Sequence, residues 1–357
     1  MANGYSRRLG LFSATMAVIG GIIGSGIFLG PQVVAQRVGS ARLTLAAWVL
    51  GGVIALAGAL CFAELGARRP RAGGGYVYLR EAFGPLPAFL YGWTLLLVIA
   101  TGAIAAVAVT FASYTASLLG LPPRATVPLA IGAIVLLSGV NYVGVRPAAI
   151  TQNVFTLLKL AALTALIVAG LLAAPAAVLA GPGPSWAVPV GWVAVGTALG
   201  SALVPVLFAY GGWQQTNFVA EEIVAPEKNL PRALILGVVG VVAVYVLANV
   251  AYLRTLGAAG LAASVAPAAD AMERVLGVPG KTLISAGIAA STFGFLNLVI
   301  LVSPRVYQAM GADAVFFPGF ARLHPEYRTP GVAIVVQELW AMVLVMTGTY
   351  GQLLDYV

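Results

Sequence analysis

The chain has 357 residues, 61% of them apolar and only 8% charged, and its mean hydropathy is +0.98. A water-soluble domain carries about 25% charged residues, so these values exclude one and make lipid the solvent for most of the chain. The net charge of +8 sits on basic residues dispersed between long apolar runs, which speaks for membrane topology and against a nucleic-acid partner. With one cysteine and one histidine the chain lacks the ligands for a zinc, haem or iron-sulfur centre, so no metal or cofactor is expected.

Nine membrane helices are predicted. The first, Leu11 to Val34, follows Arg7 and Arg8 like a signal peptide but runs on without a cleavage site, so it is read as a retained helix. It contains GIIGSGIF, Gly21 to Phe28. The second, Leu43 to Phe62, holds the single Cys61, which forms no intramolecular disulfide and is read as inert packing. Leu86 to Leu119 and Val127 to Val143 follow, and then Val154 to Ala173 with Lys159 inside it. Pro175 to Pro189, rich in Ala, Pro and Gly and without charge, reads as an external linker. The expected division is therefore residues 1–174, a linker over 175–191, and 192–357. The second part holds Val193 to Phe218, with Pro205 and FAYGGW (Phe208 to Trp213), then Ala233 to Leu253, Thr282 to Val302 with Asn297, and Val332 to Thr347 with Glu338. After these, Gly348 to Val357, with apolar Leu353, Leu354 and Val357, looks like the threshold of a tenth helix.

With the N-terminus in the cytoplasm, the inner side receives Arg7, Arg8, Arg68, Arg69, Arg71, Arg80, Arg146, Lys228, Arg232, Arg305, Arg322 and Arg328. The outer side receives half as many: Arg37, Arg42, Arg124, Arg254, Arg274 and Lys281. This bias is that of a chain with its N-terminus inside. The mixed-charge loops Glu64 to Glu81 and Glu221 to Arg232 lie on that inner side and read as solvated anchors or as a latch.

Breaks inside the membrane carry the chemistry. Gly and Pro weaken a helix, and freed backbone groups at membrane depth are tolerated only where they line a cavity or find partners. Ile23, Gly24, Ser25 and Gly26 can present amide hydrogens to a carboxylate, while Gly20, Gly24, Gly26 and Gly30 fit a helix-packing groove equally well. Around Phe208 to Trp213, freed carbonyls suit an ammonium group, and Phe208 is large enough to cover an occupied site. Each break lies in the first helix of its half, the pattern of a transporter site between inverted repeats. Lys159 is either functional or snorkels to the inner interface. Asn297 needs a cavity or a helix-helix hydrogen bond. Glu338 is assigned no role.

GIIGSGIF, ELGARRPRAGGGYVYLREAFG (Glu64 to Gly84) and FAYGGWQQTNFVAEEI with PEKNLPRA (Phe208 to Ala233) together resemble the amino acid-polyamine-organocation superfamily. The resemblance covers nearly the whole chain and is nearest to the L-type amino acid transporters and their bacterial relatives. It implies an all-α integral membrane protein of the leucine-transporter fold, two inverted five-helix repeats with the first and sixth helices broken, and alternating access. It also implies that Ile23, Gly24, Ser25 and Gly26 bind the substrate carboxylate, and that Phe208, Ala209 and Gly211 meet the amino group, with Phe208 an outer gate. Asn297 would lie near the pocket, and Lys159 would occupy a sodium site. Gln214 stands where light-chain members usually have asparagine, a departure that bears on pocket size and selectivity. The family usually has twelve helices, so the second repeat is expected to be incomplete here. Gly120 to Thr126 lacks the cysteine that tethers animal members to a heavy chain, so no disulfide-linked partner is expected.

The function expected is a sodium-independent secondary transporter of neutral amino acids in the plasma membrane, by exchange or proton-linked uptake, and not an enzyme. A polytopic membrane enzyme or a channel is the alternative, but neither a convergent catalytic constellation nor a filter motif is visible.

Overall fold

The computed structural model describes residues 4–174 and 191–347. The expected linker Pro175 to Pro189 and the terminal stretch with Leu353, Leu354 and Val357 lie outside the described residues.

The chain opens with α1 (Leu11–Ile22) and α2 (Gly26–Val38), which meet at a bend of 42°. α3 (Ala41–Arg68) returns to the face that carries the N-terminus, and the short α4 (Gly75–Phe83) lies there. α5 (Pro85–Thr94), a π-helical turn (Leu95–Ile99) and α6 (Ala100–Leu118) make one long crossing. The wide turn is held by Thr101, whose hydroxyl donates to the Leu96 carbonyl at 2.7 Å. α7 (Thr126–Val143) and α8 (Val145–Leu172) follow. The second half has α9 (Trp192–Tyr210), a 3-10 segment (Trp213–Glu222), α10 (Pro226–Ala263), α11 (Pro267–Ala312) and α12 (Gly331–Thr347). α10 and α11 carry breaks at Gly257 and Gly277, both with positive φ. Among the described residues seven helices are long and apolar enough to cross a membrane, eight with the bent pair α1 and α2. α12 is a shorter apolar helix that completes the nine expected spans.

The polar ends of these helices extend past the apolar runs. α8 begins at Val145 and not near Val154, because Gly144 at φ 147° turns the chain directly out of α7 and leaves no loop. α11 continues ten residues beyond Val302 to Ala312 and carries Arg305 inside it. Arg305 is therefore no solvated anchor: it is fully buried.

Close packing at small residues holds the bundle. A Cβ on Gly287 would lie 2.4 Å from the Ala162 side chain, and one on Gly170 would lie 2.7 Å from that of Ala251. Without a hydrophobic drive between lipid-embedded helices, such contacts supply the van der Waals energy of association. Cys61 is exposed on α3, not packed in the interior as its place in an apolar run led one to expect. In an apolar medium an apolar residue gains nothing by turning inward, so hydropathy does not separate the lipid face from the core.

Candidate functional site

The first break is built around the carbonyl end of α1. Lys159, fully buried on α8, donates from Nζ to the Ile23 carbonyl at 2.6 Å and the Gly20 carbonyl at 3.1 Å. The Ser291 hydroxyl of α11 donates to the same Ile23 oxygen at 3.2 Å. An ammonium at this place satisfies free carbonyls and opposes the negative end of the α1 dipole. Lys159 lies fourteen residues after the start of α8 at Val145, about 21 Å along the helix, so it does not snorkel. Among the described residues no carboxylate pairs with it.

The amides of the break divide unequally. Ile23 donates to the Ile19 carbonyl and Gly24 to that of Ile22, both at 2.9 Å. α2 starts at Gly26, and the first amides of a helix have no intrahelical acceptor. Of the four expected carboxylate-binding residues, Ser25 and Gly26 thus bring their amides to the start of α2, while those of Ile23 and Gly24 are spent on α1.

The second break faces the first. A Cβ on Gly26 would lie 2.9 Å from Cα and Cβ of Ala209, and a Cβ on Gly212 would lie 2.1 Å from the Gly21 carbonyl oxygen. Gly212 sits at φ 105°, so only glycine serves there in both conformation and space. α9 ends at Tyr210, and Gly211 bonds back to the Phe208 carbonyl at 3.2 Å. The side chain of Gln214 accepts from the Gly212 amide at 3.0 Å and caps the break itself. Phe208 is 71% exposed, so in this conformation it covers nothing.

Asn297 is fully buried on α11, where it donates to the Gln152 side chain at 3.0 Å and the Ala148 carbonyl at 3.2 Å and accepts from Asn141 at 3.1 Å. These partners tie it to α7 and α8, and none of them belongs to either break.

Sequence reasoning missed the residue that joins the two breaks. The Tyr245 hydroxyl of α10 lies 3.0 Å from the Ile22 carbonyl and 3.3 Å from the Ala209 carbonyl, one from each broken helix. Tyr252 donates to the Ile27 carbonyl at 3.2 Å. Tyr245, Asn249 and Tyr252 recur at helical spacing on one face of an otherwise apolar helix, and that stripe was the available signal.

The far side of the site is closed on the N-terminal face. Arg305 pairs with Glu222 at 2.7 Å, both buried, and the Tyr5 ring lies over the guanidinium at 5.7 Å. The backbone amides of Arg8 and Leu9 donate to the Glu222 carbonyl, and Val224 donates to that of Leu9. In the loops read as anchors or a latch, Arg80 pairs with Asp313 at 2.8 Å, while the Arg68–Glu64 and Arg69–Glu81 pairs are exposed and contribute little.

The two unwound segments meet within the bundle, and comparison with known proteins identifies the fold and the family. The solved structure of MhsT in complex with L-phenylalanine superposes with a TM-score of 0.63 over 97% of this chain and 80% of that one, at 14% identity, which establishes the leucine-transporter fold. Large neutral amino acids transporter small subunit 2 of Mus musculus is 36% identical over 98% of this chain and 67% of its own length. That of Homo sapiens is 36% identical over 98% of this chain and 66% of its own. The b(0,+)-type amino acid transporter 1 of Mus musculus is 32% identical over 98% of this chain and 72% of its own. The chain thus spans about two thirds of the length of the relatives it matches. Residues 9–356 match the Amino acid permease family, and with broken helices, fold and relatives in accord, the chain belongs to that family.

Proposed function

We propose that this protein is a sodium-independent carrier of neutral amino acids that works by alternating access, through exchange or proton-linked uptake. The observation that carries the proposal is the pair of breaks joined by Tyr245. Amides at Ser25 and Gly26 suit a carboxylate, and the carbonyl end of α9 around Ala209 and Gly211 suits an ammonium group. Phe208 closes over them in the occupied state. Gln214 shapes the pocket through its cap on Gly212. Asn297 acts by fixing α11 against α8. Residues 1–174 and 192–357 form the two repeats, each opening with a broken helix. Membership of a permease family favours this reading over a membrane enzyme or channel.

The N-terminal face is cytoplasmic, as the basic residues on the Arg7, Arg68 and Arg146 side argue, and the plasma membrane is the membrane that suits a carrier of this family. The partners are an amino acid and membrane lipid. The relatives of Mus musculus and Homo sapiens at 36% identity are named as small subunits. We expect no disulfide-tethered partner here, because the segment from Gly120 to Thr126 lacks cysteine and Cys61 lies within α3.

The substrate side chain is neutral. α1, α2, α5 and α6 and residues 282–302 of α11 contain no acidic residue to pair with a cationic one, and an unpaired ammonium at membrane depth is costly. In counterflow assays leucine competes at concentrations about tenfold or more below arginine. Potent competition by arginine where leucine fails contradicts the assignment.

A further inference from the structure

A buried file of polar side chains runs through four helices beside the first break. Asn141 of α7 donates from Nδ2 to the Asn297 side-chain oxygen at 3.1 Å, and Asn297 of α11 donates to the Gln152 side chain at 3.0 Å. Gln152 of α8 donates to the Thr156 hydroxyl at 3.3 Å, and that hydroxyl donates to the Met16 carbonyl of α1 at 3.2 Å. All four side chains belong to fully buried residues. Backbone carbonyls fix the direction of the file. The Met16 oxygen can only accept, so Thr156 donates there and accepts from Gln152. That turns the Gln152 oxygen toward Asn297, and the Ala148 carbonyl, which takes the same Asn297 nitrogen at 3.2 Å, demands the same orientation. At the other end the Leu137 carbonyl takes Asn141 Nδ2 at 2.8 Å. No amide in the file can turn over without setting a buried donor against a donor or an acceptor against an acceptor.

Gly20, one of the glycines read as fitting a packing groove, is where this file touches the break. A Cβ there would lie 2.0 Å from Gln152 Nε2 and 2.6 Å from Thr156 Oγ1. The Gly20 carbonyl itself accepts from Lys159, which follows Gln152 and Thr156 on the same face of α8. α1 is therefore gripped at two levels. Lys159 of α8 and Ser291 of α11 meet at the Ile23 carbonyl, and the file ends at the Met16 carbonyl about 10 Å earlier along the helix. Two grips at that spacing fix the angle of α1 as well as its position, whereas one would leave it free to tilt. We propose, on the reading of the two breaks as the amino acid site, that Thr156 and Gln152 are positioning residues for substrate. With Asn297 behind them they hold α1 at the angle at which Lys159 and Ser291 reach the Ile23 carbonyl, and so they set the affinity of the site.

The test compares Thr156→Val with Thr156→Ser in the full chain, by leucine counterflow in proteoliposomes and by hydrogen exchange in nanodiscs. Thr156→Val keeps the shape and removes the hydroxyl, which leaves Gln152 Nε2 without its acceptor. Thr156→Ser keeps the hydroxyl and removes a methyl group. Thr156→Val raises the half-saturating leucine concentration about tenfold and holds the maximal rate within about twofold. The amides of Ile23 and Gly24, which bond to the Ile19 and Ile22 carbonyls, exchange about tenfold faster in it. Thr156→Ser recovers both. A packing role gives the reverse order, since Thr156→Ser then leaves a cavity and Thr156→Val fills the space. The proposal is overturned if Thr156→Val matches the unsubstituted protein in half-saturation, if Thr156→Ser is as poor as Thr156→Val, or if the Ile23 and Gly24 amides exchange no faster in Thr156→Val. Amide exchange needs no substrate. If the unsubstituted protein exchanges no leucine, the carrier function falls, while faster exchange of these amides in Thr156→Val still supports the grip on α1 and equal exchange overturns it.

Discussion

Replacing Lys159 with alanine reduces exchange by about a hundredfold or more while the protein still reaches the membrane in normal amount. The magnitude follows from what Nζ does. It makes charge-assisted bonds to the carbonyls of Gly20 and Ile23, and without it these oxygens lose their donor in a dry interior. Each such bond contributes about 1.5–3 kcal/mol and each 1.4 kcal/mol is tenfold, so two bonds reach a hundredfold on their own. The end of α1 is the wall of the proposed substrate site, and its geometry depends on this cap. A fixed ammonium here also repels a solution cation at short range with little screening. Uptake by the unsubstituted protein is accordingly unchanged when choline replaces sodium. A steep sodium requirement, or full activity in Lys159→Ala, contradicts the role given to Lys159.

Arg305→Met destabilises the protein by about 3–5 kcal/mol, because Glu222 is then left buried without its partner. The pair joins α11 to the 3-10 segment, and the Tyr5 ring adds a cation-π contact from the N-terminal segment. Breaking it opens the plug on the N-terminal face. Arg305→Met combined with Glu222→Leu removes both charges and recovers most of the loss, since a buried pair and a well-packed apolar replacement are often close in free energy. Detergent melting of the single and double variants measures this. A single variant as stable as the unsubstituted protein, or a double variant no better than the single, refutes the coupling.

The fold was legible because lipid imposes a simple rule on sequence. Backbone groups must be satisfied within helices, so spans stand out as apolar runs and their interruptions stand out as glycine clusters. Both breaks and Lys159 were found in that way. Partners across helices were not, because a hydrogen bond between α11 and α8 leaves no period in either. For Asn297 the residues left a cavity and a helix-helix hydrogen bond equally open, and the Asn141 and Gln152 side chains that bond to it became visible only in three dimensions. Arg305 was counted with the topology-setting cations since charge near the end of an apolar run usually faces water, and nothing local to it names Glu222 more than eighty residues away. Gln214 falls between these cases. Its position beside the break was evident, but whether it faces a ligand or caps Gly212 depends on the left-handed turn at Gly212 itself.

The central claim, that the two breaks form the amino acid site of a carrier, is tested most directly by counterflow in proteoliposomes. Vesicles preloaded with unlabelled leucine and bathed in sodium-free choline buffer take up labelled leucine saturably and well above protein-free vesicles. Uptake that rises linearly with concentration, or that never exceeds protein-free vesicles, contradicts it.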